Sequence, residues 1–167
     1  YRVAGAFVEE DTITVMEKYQ EIQAGKYTLN DFNFEIPNTT LKASMDSGRK
    51  VGPGERERYD YPGGYEKKAD GDRIARLRME EEEARITTID GSGNCREFCG
   101  GFRFTLKNAL RPDMNDKEYV LTCVSHEASQ PLEQGGVPNY RNSFTCIPFE
   151  VPFRPPLVTI KPTIQGS

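Results

Sequence analysis

The chain has 167 residues, enough for one domain or for one domain and a small satellite. Hydrophobic residues make up 36% and charged residues 29%, and no apolar run approaches the ~18 residues that a membrane-spanning helix needs. The net charge is −4, and because Lys and Arg are scattered, the sequence does not predict nucleic-acid binding. The amino end lacks the basic-then-apolar pattern of a signal peptide. The chain begins at Tyr1 without a methionine, and we expect it to be part of a longer protein.

Residues 1–45 predict three short β-strands, because apolar and polar residues alternate along them. The strands are expected at Ile13–Tyr19, Lys26–Phe34 and Thr40–Met45. A short helix over Met16–Ile22 competes with the first strand. The alternation in the second strand slips at Asn30, which indicates a bulge or a turn.

Residues 46–68 differ in composition, with glycines and prolines around a charged stretch, and they predict a loop or linker insertion. Ser47–Gly54 is expected to be a mobile loop. Arg58–Pro62 predicts a short strand with Tyr59 and Tyr61 on one face.

The clearest helix follows, with Asp70 or Asp72 as its cap and good helix formers from Arg73 to about Arg85. We expect about three to four turns. The residues on its apolar side are Ile74, Leu77 and Ala84. The acidic run Glu80–Glu83 is expected to face solvent, and it lacks the spaced ligands of a calcium loop.

From Ile86 onward, alternation predicts an antiparallel meander that closes into a barrel or sandwich. The side chains expected to share a face are Phe98, Phe102, Phe104 and Leu106 in one strand, Tyr119, Leu121 and Cys123 in the next, and Tyr140, Phe144 and Cys146 in the last. Pro112–Lys117 and Pro131–Pro138 predict the connecting loops. The glycines in 91–93 and at 100–101 predict tight turns.

The carboxyl-terminal tail, residues 151–167, predicts an extended linker, because prolines 152, 155, 156 and 162 prevent helix formation. Its apolar side chains cannot be buried by local folding, so they form a candidate protein-interaction site. The site residues are Phe149, Val151, Phe153 and Leu157. The chain thus divides into four segments: 1–45 (β), 46–68 (loop), 69–150 (helix and antiparallel barrel module) and 151–167 (linker).

Sulfur and imidazole groups offer little chemistry. His126 is the only histidine, and Cys123 precedes it by three residues, an odd spacing that puts the two side chains on opposite faces of a strand. This argues against a Cys–His nucleophile pair. Cys95 and Cys99 could join them at a zinc ion, but the strand geometry and the missing two-residue knuckle count against it. We expect reduced thiols, because no leader pattern is visible in the sequence, with zinc and a disulfide as alternatives.

The remaining motifs do not predict an active site. None of the 26 Asp and Glu residues is fixed across a cleft as a glycosidase pair would be. The glycines lack the spacing and the following lysine of a phosphate-binding loop. We therefore predict no catalytic residue, no cofactor and no metal, and a chain that is not an enzyme.

Seven stretches of the sequence carry a resemblance to a known family: Asp60–Gly63, Arg73–Glu83, Gly91–Arg96, Phe102–Leu106, Asn115–Glu127, Tyr140–Pro148 and Val151–Pro156. Through them most of the chain resembles the VgrG spike proteins of bacterial type VI secretion systems. The last two together are specific, whereas each alone would be weak. Phe98–Gly101 departs from the family by replacing a proline-containing turn.

The resemblance implies a mainly β fold with one helix, of the phage baseplate-hub type, in the carboxyl-terminal part of a hub that continues after residues 162–166 into an OB-fold and spike. It implies a structural homotrimer that seats the spike on the secretion tube, with the baseplate, a PAAR-like tip and effectors as partners. It also implies assembly in the bacterial cytoplasm and translocation into a target cell or the medium. The alternatives are a phage tail hub protein, a peptidoglycan hydrolase or effector enzyme module, and a carbohydrate- or peptide-binding module.

Overall fold

The computed structural model describes residues 11–49, 52, 56–131, 139–159 and 162. Its elements are β1 (Ile13–Gln20), β2 (Lys26–Leu29), β3 (Ala43–Asp46), β4 (Glu57–Asp60), α1 (Lys68–Ile86), β5 (Thr87–Gly93), β6 (Arg103–Leu106), β7 (Lys117–Ser129) and β8 (Asn139–Pro148). The predicted mainly antiparallel β fold with one helix is confirmed over this part of the chain. Much of the predicted loops at Ser47–Gly54 and Pro131–Pro138, and the end of the tail, lie outside the described residues.

The strands and the helix belong to two compact units, one with β1 and β5–β8, the other with β2–β4, α1 and the tail. The first unit is a five-stranded antiparallel sheet in the order β1-β5-β8-β7-β6, curled into a half-barrel. Its core residues are Ile89, Leu106, Met114, Tyr119, Leu121, Phe144 and Cys146. The strand predicted at the start of the chain is confirmed as β1, and the competing helix over Met16–Ile22 is wrong.

The longest strand, β7, contains a bulge between Leu121 and Cys123, where one extra residue interrupts the pairing with β8. Tyr119 and Leu121 are buried, whereas Cys123 is exposed. The prediction that these three share a face is therefore wrong at Cys123, because an extra residue reverses the alternation of the strand. Val124 packs against the core in its place.

Gly91 and Gly93 lie inside β5, not in the predicted tight turn. Gly91 is directly opposite Phe144 in β8, and the aromatic ring occupies the space that a side chain at Gly91 would need. The turn prediction fails because glycine serves here for close packing and not for backbone freedom. At residues 100–101 the predicted turn is confirmed, and Gly101 has a φ of 85°, which glycine adopts readily.

The second unit is a three-stranded sheet in the order β3-β2-β4, with β2 antiparallel to β3 and parallel to β4. Helix α1 packs against β2 and β3. The core residues are Tyr27, Leu29, Leu41, Ala43, Tyr65, Ala75 and Met79. The strand predicted over Lys26–Phe34 ends at Leu29, beside the slip in its alternation.

Helix α1 begins at Lys68, before either predicted cap, and has 19 residues, more turns than predicted. In the described part of the chain, no helix is long and apolar enough to span a membrane. Glu82 is only 5% exposed, so the prediction that Glu80–Glu83 all face solvent is wrong. The reason is the helical period, which places Glu82 on the same buried stripe as Met79 and Ile86.

Burial of Cys146 should make the free energy of unfolding fall at alkaline pH. Burial is the main cause that raises the pKa of its thiol from 9.0 to about 12, and the charge of Asp90 adds to it. The unfolded thiol loses its proton first as the pH rises above 9, so the stabilisation is lost from there upward, by about 2 kcal/mol at pH 10.5. We expect urea unfolding to show a smaller loss between pH 8 and pH 10.5 for Cys146→Ala than for the parent chain. Equal losses would contradict this assignment.

Candidate protein-interaction site

The four predicted interaction residues are divided between the two compact units, two in each. Phe149 and Val151 belong to the first unit, and Phe153 and Leu157 to the second. Each pair is set in place by the contacts of its own unit.

Phe149 follows the end of β8 and is anchored to β7. Its backbone N–H donates a hydrogen bond of 3.0 Å to the carbonyl of Glu118, and the Arg103 guanidinium lies 5.1 Å from its ring centroid, within cation–π range. The ring remains 47% exposed, whereas Val151 is only 4% exposed. Val151 therefore contributes to packing within its own chain, and Phe149 is the exposed member of this pair.

The tail presents three apolar side chains to solvent in the second unit. Phe153 is 48%, Leu157 59% and Val158 79% exposed. Val158 was not among the residues predicted from the sequence. Residues 152–158 form no helix or strand, and their prolines favour an extended backbone.

Two polar groups of the tail contact the acidic run of α1. Arg154 Nε lies 2.6 Å from Glu80 Oε2, and the Leu157 N–H donates a hydrogen bond of 3.2 Å to Glu81 Oε1. Sequence reasoning missed these contacts because it placed the acidic run in solvent. The only signal in the sequence was the acidic run Glu80–Glu83 together with Arg154, which lies in a proline-rich segment with few backbone N–H groups.

The sulfur and imidazole groups belong to the first unit. His126 Nδ1 lies 2.6 Å from the Tyr140 hydroxyl, and the uninterrupted register from Cys123 to His126 places their side chains on opposite faces of β7. All four cysteines are free thiols, of which Cys95 and Cys146 are buried. Among the residues that the structure describes, no three His, Cys, Asp or Glu side chains are grouped to hold a metal ion.

Comparison with known proteins points to one family. Residues 1–132 match the family described as phage tail baseplate hub (GPD). The chain is 31% identical to the type VI secretion system spike protein VgrG1c of Pseudomonas aeruginosa, over 88% of this chain and 21% of that protein. It is 30% identical to VgrG1b of the same organism, over 88% and 20%, and 23% identical to the actin cross-linking toxin VgrG1 of Vibrio cholerae, over 91% and 14%. The chain thus spans about a fifth of the length of the first two relatives.

Proposed function

Because the chain belongs to the family of phage tail baseplate hub proteins, we propose that it forms the carboxyl-terminal part of the hub in a type VI secretion spike. The family match over residues 1–132 supports the assignment to a hub, and the likeness to spike proteins of Pseudomonas aeruginosa carries the assignment to a type VI secretion spike. In this role the chain is a structural component and not an enzyme. It seats the spike on the secretion tube and helps to deliver effectors.

The assembly we propose is a homotrimer, in which the exposed apolar side chains meet a neighbouring copy. Phe149, Phe153 and Leu157 are each about half exposed in the isolated chain, and burying an aromatic or leucine side chain stabilises a contact by about 1.5–3 kcal/mol. The further partners we propose are the tube protein, the baseplate, a PAAR-like tip and effectors. Assembly takes place in the cytoplasm, before translocation into a target cell or the medium.

A comparison of lengths tests the trimer. Light scattering at micromolar concentration should show a monomer or a weak trimer for this chain. The few apolar side chains in each contact offset only part of the entropy that is lost on association. The full-length gene product should be a stable trimer, because a downstream β-helical shaft would tie three chains together. Replacing the exposed Phe153 and Leu157 by serine in the full-length protein should weaken the trimer more than replacing the buried Val151 by alanine does.

Two results would contradict the proposal. A monomeric full-length protein would exclude the trimer. A tight trimer of this chain alone would show that the shaft is not what holds the copies together.

A phage tail hub protein is the second candidate, and the description of the matching family favours it. The sequence that follows Ser167 separates the two, because a long repetitive β-helix is expected of a secretion spike. The likeness to an actin cross-linking toxin covers only 14% of that toxin, so it does not assign a cross-linking activity to these residues. Incubation with muropeptides or with actin should leave both substrates unchanged.

A further inference from the structure

The contacts between α1 and the tail both join a polar group of the tail to a glutamate of the helix. The proline-rich segment Pro152–Thr159 (hereafter the strap) meets the helix through its polar groups, the Arg154 guanidinium and the Leu157 N–H. The side chains of Phe153, Leu157 and Val158 are exposed, and Arg154 is exposed as well. The strap therefore contacts two successive glutamates of α1 through polar groups and keeps its apolar side chains in solvent.

Glu81 is already in position to accept the strap. Arg78 Nη1 lies 2.8 Å from Glu81 Oε2 and Arg85 Nη2 3.3 Å from Oε1, and the Glu81 side chain is only 12% exposed. These are i,i+3 and i,i+4 partners on one helix face. Because Arg78 and Arg85 already hold the Glu81 carboxylate in place, docking of the Leu157 N–H costs little further side-chain entropy.

The strap is also restricted before it docks. Pro152, Pro155 and Pro156 fix φ near −65° and have no N–H, so the undocked segment has fewer conformations to lose. Leu157 follows the proline pair and provides the first backbone donor after it. Because little conformational entropy is lost on docking, even weak contacts can hold the strap on α1.

We infer that Glu80 and Glu81 form a docking site for this strap and act as a charge-controlled latch: the strap is docked at low ionic strength and released at high salt. The docked strap holds Phe153, Leu157 and Val158 exposed on the second unit. Arg154 is 45% and Glu80 20% exposed, an exposure at which added salt screens an ion pair effectively. The inference goes beyond the proposed function and holds whether or not the copies assemble.

Amide hydrogen exchange at Leu157, measured by NMR on the whole chain, tests the latch. Glu81→Ala should increase the exchange rate of this amide about two- to fivefold, the range for an exposed polar contact. Glu80→Ala and Arg154→Gln should each increase it to a smaller extent, and 0.5 M NaCl should act on the parent chain in the same direction. Glu83→Ala is the matched control: its carboxylate binds Ser47 and Gly48 instead of the strap, so the Leu157 rate should not change.

Loss of Glu81 also frees two helix arginines, so a variant that preserves the charges guards against a general effect on α1. Exchanging the pair, Glu80→Arg with Arg154→Glu, should restore the Leu157 protection that either single change reduces. Equal Leu157 exchange in the parent chain, Glu81→Ala and Arg154→Gln, with unchanged exchange in β2 and β3, would overturn the latch. The exchange is measured at a concentration at which light scattering shows a monomer, so the latch can fail while the trimer stands, and the reverse.

Discussion

Gly91→Ala should be among the most destabilising single changes in the first unit, at about 2–3 kcal/mol. A Cβ at this position would lie 2.3 Å from Phe144 Cζ, far inside van der Waals contact. The Phe144 ring is 4% exposed and packs edge-on against Phe98 and Phe104, at centroid distances of 5.1 and 5.9 Å. Because the ring is enclosed, it cannot move aside without disturbing the whole cluster. Urea unfolding followed by circular dichroism measures the loss.

Gly100 provides the matched control, since a Cβ there would meet nothing within 4 Å. Gly100→Ala should change stability by no more than about 0.5 kcal/mol. Shortening the aromatic side chain should recover part of the loss, so Gly91→Ala with Phe144→Leu should be more stable than the sum of the single changes predicts. Additive effects would show that Phe144 is not what excludes a side chain at Gly91.

Strands β1, β6, β7 and β8 of the first unit could be predicted because alternation depends only on neighbouring residues, whereas β5 was not predicted. Tyr140, Phe144 and Cys146 share a face in β8 as predicted. The bulge before Cys123 and the strand glycine Gly91 were missed for a common physical reason: each depends on the partner strand. A bulge is a mismatch between two strands, and the space beside Gly91 is filled by a residue distant in sequence.

The candidate site shows the same limit. The apolar residues of the tail follow from composition and proline spacing, but the burial of Val151 and the contacts of Arg154 and Leu157 with α1 depend on how distant segments pack. The position of Glu82 could have been found, since a 3.6-residue period links it to Met79 and Ile86. Four adjacent glutamates suggested a solvated face, and that suggestion outweighed the period.

Removing the charge of Arg58 should cost far more than removing that of Glu82. Arg58 Nη1 and Glu82 Oε1 are 2.7 Å apart, but the Arg58 side chain is 53% exposed and that of Glu82 only 6%. Arg58→Met therefore leaves a carboxylate in the interior without its partner, and we expect a loss of about 2–3 kcal/mol. Glu82→Met leaves a guanidinium that water solvates, and should change stability by less than about 1 kcal/mol.

The double variant separates the cost of an unpaired charge from the value of the pair. With methionine at both positions no buried charge remains, and residue 82 lies on the same buried stripe of α1 as Met79. Replacing both members of such a pair with apolar residues is often neutral or stabilising, so the double variant should recover most of the stability that Arg58→Met loses. The guanidinium also lies 5.7 Å from the Tyr27 ring centroid, and methionine keeps an apolar side chain over that ring. If the double variant were as unstable as Arg58→Met, the loss would come from the Tyr27 contact, and the burial of Glu82 would not be its cause.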